Sequence, residues 1–369
     1  MDADDSPPRP SPAPSEAQER APWLRRRISW AERKKILYRE AWIAAISLQL
    51  LLAAAWAAPT GGLGDGTAWI LLFWVALVLR MLTWHIAGLV AVVLLSSLAV
   101  RKWRLALASA PAGGLFLVLC AGAVGSGDPP PVEGARLKVM SVNLLMVNRD
   151  TQPTIDEIRR EDPDVISFQE YALHWDKALR AALGERYPYE VHDCREDSFG
   201  GAIYSRIPLK NAGTDLSLGS GEAPGIGFID VPAFRAEFTH EGATWVLYNV
   251  HMLPPRLPSY VRVQRRQFRE LSEMLRAETR PTLVTGDFNW NQFTQYHRGM
   301  GRLGFASGQE QVGSGSGNTW PVNGLLRYLP GLRLDHLYAR GLAFDEFRTG
   351  GATGSDHRAV IAIVGANRR

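Results

Sequence analysis

The stretch that decides the fold is Pro281-Thr282-Leu283-Val284-Thr285-Gly286-Asp287-Phe288-Asn289. Its first part is uncharged and rich in apolar and β-branched residues, which is typical of a β-strand. The run stops at Gly286, and two polar side chains, Asp287 and Asn289, follow where the strand ends. Folds that mix helices and strands build their sites at such strand ends, because the sheet is rigid there and the loops are free.

Polar side chains end four further apolar runs along the chain. They are Asn143 after Leu137-Lys138-Val139-Met140, Glu170 after Val165-Ile166-Ser167-Phe168, His251 after Trp245–Val250, and Asp356 with His357 before Ala359–Val364. Carboxylates, histidines and an amide at neighbouring strand ends suit a hard divalent cation with oxygen ligands. Mg²⁺ in particular takes one or two carboxylates and keeps room for a phosphate substrate.

Strand-like and helix-like patterns alternate over residues 136–366. Seven strands are predicted, at Leu137–Leu144, Asp164–Glu170, Gly201–Ser205, Thr244–His251, Pro281–Asp287, Leu334–Tyr338 and Ala359–Val364. Three helices are predicted, at Thr154–Arg160, Leu173–Leu183 and Ser259–Arg280. This mixture indicates one α/β or α+β domain.

The chain before this domain has a different composition. Of 41 basic and 37 acidic residues in 369, residues 126–369 hold 28 and 29, so the domain has a net charge of −1. The excess of basic residues therefore lies in the first third. The only two cysteines, Cys120 and Cys194, exclude a disulfide framework and a four-cysteine zinc site.

We interpret residues 1–40 as a disordered, basic cytoplasmic tail and 41–125 as a transmembrane region. Three spans are predicted, at 41–58, 81–100 and 105–125, and 126–135 is predicted to be a linker. We interpret 68–79 as an interfacial or re-entrant piece that ends at Arg80, because twelve residues are too few to cross about 30 Å of hydrocarbon.

The positions of Lys and Arg predict the orientation. The cluster from Arg25 to Arg39 and the tetrapeptide Arg101-Lys102-Trp103-Arg104 belong on the cytoplasmic side. Three spans then place the C-terminal domain outside the cytoplasm, on a multi-pass protein of the plasma or inner membrane. If 68–79 crosses as well, there are four spans and the domain is cytoplasmic.

Five motifs in this order resemble the endonuclease/exonuclease/phosphatase superfamily. They are Ser141-Val142-Asn143, Ser167-Phe168-Gln169-Glu170, Asn249-Val250-His251, Gly286-Asp287-Phe288-Asn289 and Gly354-Ser355-Asp356-His357-Arg358. Thr319-Trp320-Pro321 followed by Leu334-Asp335-His336 also matches a pattern of the group. The resemblance implies a four-layer sandwich of two packed mixed β-sheets with outer helices. It also implies a metal-dependent phosphoesterase, and the chain looks most similar to membrane-tethered members.

The resemblance implies a role for each of eight residues. The implied metal ligands, for Mg²⁺ or Mn²⁺, are Asn143, Glu170 and Asp356, and the implied catalytic residues are His251, Asp287, Asn289, Asp335 and His357. Asp287 would orient or deprotonate the attacking water, and Asn289 would hold Asp287 or a phosphate oxygen. His357, fixed by Asp335, would contact the scissile phosphate, and His251 would protonate the leaving oxygen or bind phosphate.

The sequence therefore predicts a membrane-anchored phosphoesterase whose substrate is a nucleic acid, a phospholipid or a small phosphate ester. Its partners are that substrate and the lipid bilayer, and no obligate protein partner is evident. The near-neutral domain weighs against a general nuclease, while we expect no strongly hydrophobic insertion loop for a lipid surface. Residues 217–227 form a glycine-rich loop that can reach a substrate. An arginine stripe on the 259–280 helix, made of Arg262, Arg265, Arg266 and Arg269, is a solvated face or a phosphate contact. The alternative is a catalytically inactive scaffold that keeps the fold and binds a partner.

Overall fold

A computed structural model describes residues 29–59, 66–124, 132–223 and 227–367. The helices are α1 (Trp30–Ala57), α2 (Thr67–Met81), α3 (Thr83–Ala99), α4 (Trp103–Val124), α5 (Gln152–Glu161), α6 (Leu173–Leu183), α7 (Pro258–Ala277), α8 (Gln295–Arg302) and α9 (Gly308–Gln311). The strands are β1 (Val132–Asn143), β2 (Val165–Gln169), β3 (Tyr189–Asp193), β4 (Gly201–Ser205), β5 (Leu209–Ser217), β6 (Gly221–Ala223), β7 (Gly227–Ile229), β8 (Pro232–His240), β9 (Ala243–His251), β10 (Thr282–Asp287), β11 (Ala306–Ser307), β12 (Asp335–Arg340), β13 (Leu342–Thr349) and β14 (Val360–Asn367).

Two six-stranded mixed sheets form the centre of the domain. The first has the order β13-β14-β1-β2-β4-β3 and the second the order β11-β12-β10-β9-β8-β5. Each contains one parallel pair at its middle, β1 with β2 and β10 with β9, and the other pairs are antiparallel. In each sheet the polar residues that end these parallel strands lie together at the carboxyl ends of the two central strands.

The sheets pack face to face, and helices cover both outer faces. Between the sheets, Val139 and Val165 of the first meet Leu247, Leu283 and Leu337 of the second. On the outside of the first sheet, α5 and α6 bury Ile155, Ile158, Trp175 and Leu179. On the outside of the second, α7 and α8 bury Val261, Leu271, Leu275 and Met300. The predicted four-layer sandwich of two mixed sheets with outer helices is confirmed.

The N-terminal helices differ in their bounds from the predicted spans. Helix α1 starts at Trp30, where Ser29 and Glu32 form a capping box, so the prediction of a disordered tail is wrong for residues 30–40. Residues 1–28 lie outside the described part of the chain. The linker prediction is also wrong for 132–135, because β1 begins at Val132.

Two of the N-terminal helices, α1 and α4, are long and apolar enough to cross a membrane. Helices α2 and α3 are bent against each other by 59° and would make a third crossing if they count as one broken span. The segment 68–79, predicted to be interfacial or re-entrant, is the helix α2 of this bent pair.

One face of α2 belongs to the core of the C-terminal domain. Its Phe73, Leu77 and Met81 are buried in the same apolar cluster as Trp290 and Tyr296. Each such burial contributes about 1.5–3 kcal/mol. Helix α2 therefore extends the outer helix layer formed by α7 and α8.

Arg80 fixes the junction between the N-terminal helices and the domain. Its guanidinium donates to Ala55 O at 2.9 Å and to Ala58 O at 2.7 Å, at the C-terminal end of α1. It also donates to Gln295 Oε1 of α8 at 3.0 Å. A cation suits this position because the last carbonyls of a helix have no partners within the helix and carry partial negative charge.

The arginine stripe of α7 packs partly on this junction. The Arg265 guanidinium lies 5.3 Å from the ring centroid of Phe73 in α2, and Arg266 donates to Gly219 O. The opposite face of α7 buries Val261, Leu271 and Leu275, as the helical spacing predicts. The phosphate-contact alternative finds no support in these contacts, since both of these arginines meet protein groups.

Candidate active site

The strand register brings three predicted site residues side by side. In the second sheet, Asp287 at the end of β10 is paired with His251 of β9 and with Asp335 of β12. The preceding Gly286 has a φ of +138°, and a Cβ there would lie 1.9 Å from Val250 O. Only glycine fits this close approach of β10 to β9, so Gly286 allows the three side chains to meet.

Asp287 Oδ2 is the point where the site groups converge. It lies 3.6 Å from His251 Nε2 and 3.8 Å from His357 Nε2, and it accepts a hydrogen bond from Asn143 Nδ2 at 3.1 Å. Its other oxygen, Oδ1, accepts from the backbone N of Asn289 at 2.9 Å. Burial raises the pKa of Asp287 to about 6, which His357 partly opposes. A carboxylate with such a pKa suits the acceptance of a proton near neutral pH.

His357 is held by the carboxylate that the sequence predicted for it. Its Nδ1 donates to Asp335 Oδ2 at 2.7 Å, which turns Nε2 toward Asp287. Burial alone would lower the pKa of His357, but the two carboxylates raise it to about 10. The ring is therefore a cation at neutral pH, placed to contact an anionic phosphate oxygen.

His251 presents the same ring atom, Nε2, to Asp287 from a second position in the site. Its Nδ1 lies 2.9 Å from Ser198 O, and a carbonyl oxygen only accepts, so Nδ1 carries a hydrogen. The remaining Nε2 faces Asp287 and the cavity. The ring of Phe199 packs beside it, 5.6 Å away between centroids.

Asn289, the fifth predicted catalytic residue, makes contacts that hold Asp287 and the neighbouring loop in position. Its Nδ2 donates to Met252 O at 2.8 Å, and its own backbone N binds Asp287. Its φ is +50°, in the left-handed region that few residues other than glycine adopt. The side chain therefore ties the loop after β10 to the loop after β9, and Asn289 also lines the cavity.

Glu170 and Asn143 lie together on the first sheet. Glu170 has a φ of +57° just after β2, and its Oε2 accepts from the backbone N of Met146 at 2.9 Å. Asn143 Nδ2 bridges Glu170 Oε1, at 3.2 Å, and Asp287 Oδ2. Left-handed residues of this kind concentrate at functional sites, where the strained backbone aims a side chain.

The donor chemistry here fits a divalent cation at Glu170. Its carboxylate is half-buried at the cavity wall and is neutralised by no arginine or lysine among the described residues. Asn143 turns its amino group toward both carboxylates, while its Oδ1 accepts from Leu145 N at 3.0 Å. A role for Asn143 as an oxygen ligand requires its amide to turn over. That assignment stays a prediction.

Asp356, the third predicted ligand, is aimed by a motif whose purpose the sequence did not reveal. Trp320 Nε1 donates to Asp356 Oδ2 at 3.0 Å. The neighbouring Thr319 Oγ1 accepts from the backbone N of Leu334 at 3.0 Å and of Asp335 at 3.2 Å. The Thr-Trp-Pro segment therefore positions both Asp335 and Asp356.

A second group of metal-capable atoms overlaps the catalytic set. One ligand atom each from Asp287, Asp335 and His357 lies within 4.8 Å of the others. The Nδ1 of His357 is already bonded to Asp335, and its protonated ring would repel a cation. Glu170 is therefore the better centre for a metal, with Asp287 at its edge.

Polar residues between the sheets, which the sequence analysis missed as a group, connect the two halves of the site. Asn249 of β9 accepts from Gln169 Nε2 at 2.7 Å and donates to Phe168 O at 2.8 Å. Ser167 Oγ accepts from Thr285 Oγ1 at 2.8 Å. Buried polar groups need partners, so these bonds fix the first sheet against the second beneath Glu170 and Asp287. The sequence does contain a sign of these bonds, because polar residues occur inside otherwise apolar strands.

The site groups open into a cavity of about 1000 Å³. Glu170, His251, Asp287, Asn289, Asp356 and His357 all line it. The segment that follows the glycine-rich loop contributes as well, since Phe228, Ile229 and Asp230 lie on the cavity wall. Residues 224–226 of the loop itself lie outside the described part. The cavity is large enough for a substrate much bigger than one phosphate group.

Known proteins resemble this chain in sequence and in fold. The model of the endonuclease/exonuclease/phosphatase family matches residues 140–357, more than half of the chain. A search of curated protein sequences found no match.

Solved structures with the same fold include an endonuclease/exonuclease/phosphatase from Beutenbergia cavernae, with 19% identity and a TM-score of 0.53, covering 63% of this chain and 72% of that one. D. rerio TDP2, solved with a single-strand DNA product, has 15% identity and a TM-score of 0.52, with 63% and 100% covered. A family protein from Bacteroides vulgatus has 14% identity and a TM-score of 0.52, with the same coverage of 63% and 100%. At these identities the likeness shows the fold alone.

Proposed function

Because the chain belongs to the endonuclease/exonuclease/phosphatase family, we propose that it is a membrane-anchored, metal-dependent phosphoesterase. It hydrolyses a phosphodiester or phosphomonoester by in-line attack of water. The observation that carries the proposal is the convergence of two histidine Nε2 atoms on Asp287 Oδ2, at 3.6 and 3.8 Å, beside the Glu170 carboxylate. A turn residue or a surface acid would not be surrounded in this way.

Each side chain has a step that its geometry supports. Asp287 accepts a proton from the attacking water as the new bond between oxygen and phosphorus forms. The charged His357 ring, held by Asp335, binds a phosphate oxygen as negative charge builds up on it. The doubly protonated form of His251 donates its Nε2 proton to the oxygen that leaves when the ester bond breaks, and the ring is left neutral with its Nδ1–H on Ser198 O.

A divalent cation, Mg²⁺ or Mn²⁺, would be held by Glu170 with Asn143 and Asp356. It would supply positive charge that stabilises the phosphate in the transition state. Asn289 keeps Asp287 in place through its backbone N.

The N-terminal helices support the anchor and its orientation. Lys102 Nζ lies 5.4 Å from the ring centroid of Tyr38, so the 101–104 cluster lies at the same end of the helices as the described basic residues from Arg33 to Arg39. The catalytic domain contacts the opposite end, through Arg80 and His85. The positive-inside bias then favours cytoplasmic basic clusters and a catalytic domain outside.

The test is hydrolysis of bis-para-nitrophenyl phosphate by the full-length protein in detergent, with Mg²⁺ or Mn²⁺ and then with excess chelator. We expect turnover with metal, its loss with chelator and its recovery when metal is restored. Full turnover in excess chelator contradicts the metal-dependent mechanism. Binding of substrate without any turnover would instead support the scaffold alternative.

A further inference from the structure

The cavity at the active site has two chemically different walls. One carries the catalytic groups, and the other is made at the junction of α2 and α3, where Val78, Met81 and Leu82 line the cavity. Loops of the catalytic domain continue the apolar wall, with Leu253, Pro254, Pro255 and Leu332. A substrate that fills this space meets polar chemistry on one side and the N-terminal helices on the other.

The apolar wall is held in place by hydrogen bonds from the catalytic domain. Asn291 Nδ2 donates to Met81 O at 2.8 Å, in the buried corner where α2 ends. Trp74 Nε1 of α2 donates to Pro255 O at 2.8 Å. Loops that line or adjoin the cavity therefore bind α2 through hydrogen bonds. The apolar wall is thus fixed to the catalytic domain and belongs to the site.

An exposed apolar loop lies next to this wall. Leu325, Leu326, Tyr328 and Leu329 are 87%, 52%, 73% and 59% exposed. Pro330 O at the end of the loop lies 2.7 Å from His85 Nε2, at the start of α3. The sequence led us to expect no strongly hydrophobic insertion loop, whereas these four apolar side chains are exposed together. The run is short and contains Arg327, so only the structure shows its apolar side chains standing in solvent together.

The charges at the cavity mouth do not suit a polyanion. Arg195 lines the cavity but lies 3.5, 2.9 and 3.3 Å from Asp193, Asp197 and Asp230. That leaves Arg256 as the exposed cationic side chain among the lining residues. Nucleic acids bind through several cations along the backbone, whereas one phosphate group needs far fewer.

From these observations we propose that the substrate is a lipid phosphate ester drawn from the bilayer, and that Val78, Met81 and Leu82 contact its acyl chains. The exposed loop Leu325–Leu329 lies in the lipid surface beside the cavity, and the head-group phosphate reaches Asp287 and His357. The inference rests on the proposed function, because it assigns a substrate class to the same site.

The experiment measures chain-length dependence with the full-length protein and Mg²⁺. The probes are dihexanoyl and dioleoyl forms of phosphatidic acid and phosphatidylglycerol, single-stranded DNA and RNA, and bis-para-nitrophenyl phosphate. Wild type should show a higher kcat/KM for dioleoyl than for dihexanoyl lipids. Val78→Asn and Leu82→Gln should each lower that ratio about fivefold or more, since the lost contact is apolar. The matched control is Val75→Asn, on the same helix and outside the cavity lining, which should keep the ratio of wild type.

Two outcomes overturn the inference and leave the proposed function standing. One is turnover of nucleic acid or the small diester with none of any lipid. The other is a chain-length ratio that Val78→Asn and Leu82→Gln leave unchanged. If the protein turns over none of the probes in the presence of Mg²⁺, both the inference and the proposed function are overturned.

Discussion

The neighbours of Asp287 set both its position and its pKa. It sits between His251 and Asp335 in the sheet, and its Oδ2 meets both histidines and Asn143. Burial raises its pKa to about 6, and the nearby His357 cation stabilises the ionised form of the Asp287 carboxylate. A side chain of the same shape without the charge would keep the packing and lose the chemistry.

We therefore expect Asp287→Asn to fold normally and to lose about 10²- to 10⁴-fold in kcat, the usual contribution of a general base. Steady-state kinetics and thermal unfolding measure the two effects separately. The control is Asp345→Asn, which removes a carboxylate that pairs with Arg136 far from the cavity. Activity of Asp287→Asn within twofold of wild type would reduce Asp287 to a turn residue.

Glu170→Gln tests the metal. The substitution keeps the shape and removes the anionic oxygen, so Mg²⁺ or Mn²⁺ affinity should fall about tenfold or more. Titration calorimetry on the full-length protein measures it without any substrate. Glu185→Gln, an exposed position after α6, is the matched control. Equal affinities in the two variants would move the cation to the Asp287, Asp335 and His357 group.

At this scale the sequence predicted which side chains lie together at the cavity, while their roles stay predictions, and it could not predict the groups that hold them. The eight residues stand at strand ends, where polarity after an apolar run is visible. The partners of Asp356 and His251 are Trp320 and Ser198 O, which lie 36 and 53 residues away along the chain. Nothing local in the sequence encodes such distant contacts.

Among the elements, α2 has two roles. One face packs Phe73 and Leu77 into the C-terminal domain, while Val78 and Leu82 border the cavity at the candidate site. Arg80, on the same helix, joins the end of α1 to Gln295. The bend between α2 and α3 is what lets one short helix reach the domain.

Arg80→Met should destabilise this junction. It leaves Ala55 O and Ala58 O without a charged donor, which costs about 2–4 kcal/mol for buried acceptors. Thermal unfolding of the full-length protein in detergent should show a clearly lowered midpoint. Arg104→Met, the same change at the exposed start of α4, should leave it nearly unchanged. Matching midpoints for the two variants would mean that the junction carries little stability.

The strongly patterned elements were the predictable ones. Helix α6 and strand β4 have the predicted bounds, and the seven predicted strands all overlap observed ones. Seven observed strands were missed. Strands β6, β7 and β11 are only two or three residues long. Charged residues or glycine interrupt the apolar pattern of β3, β5, β8 and β13, which the neighbouring strand stabilises. Helix α2 was apolar on every face, so its sequence does not distinguish a protein contact from a lipid contact.

At the scale of the whole molecule, the proposed anchor and the proposed enzyme have a defined orientation relative to each other. The described basic residues of 33–39 and of 101–104 lie at the end of the helices remote from the C-terminal domain. A C-terminal alkaline phosphatase fusion should therefore be active, and a fluorescent protein exported unfolded should stay dark. The opposite pattern would mean a cytoplasmic enzyme, which would bring genomic DNA and cytosolic RNA within reach of the site.

The burial of α2 within the domain has a consequence for how the protein can be cut. Many tethered enzymes are shed when a protease cleaves the stalk, and the released ectodomain works in solution. Cleavage at a protease site inserted between residues 124 and 132 should not shed this one. The C-terminal domain should stay in the membrane fraction, because it remains bound to α2 through the Asn291 hydrogen bond and the apolar cluster around Phe73. Detergent strong enough to separate them should expose that apolar face and bring aggregation, with loss of activity.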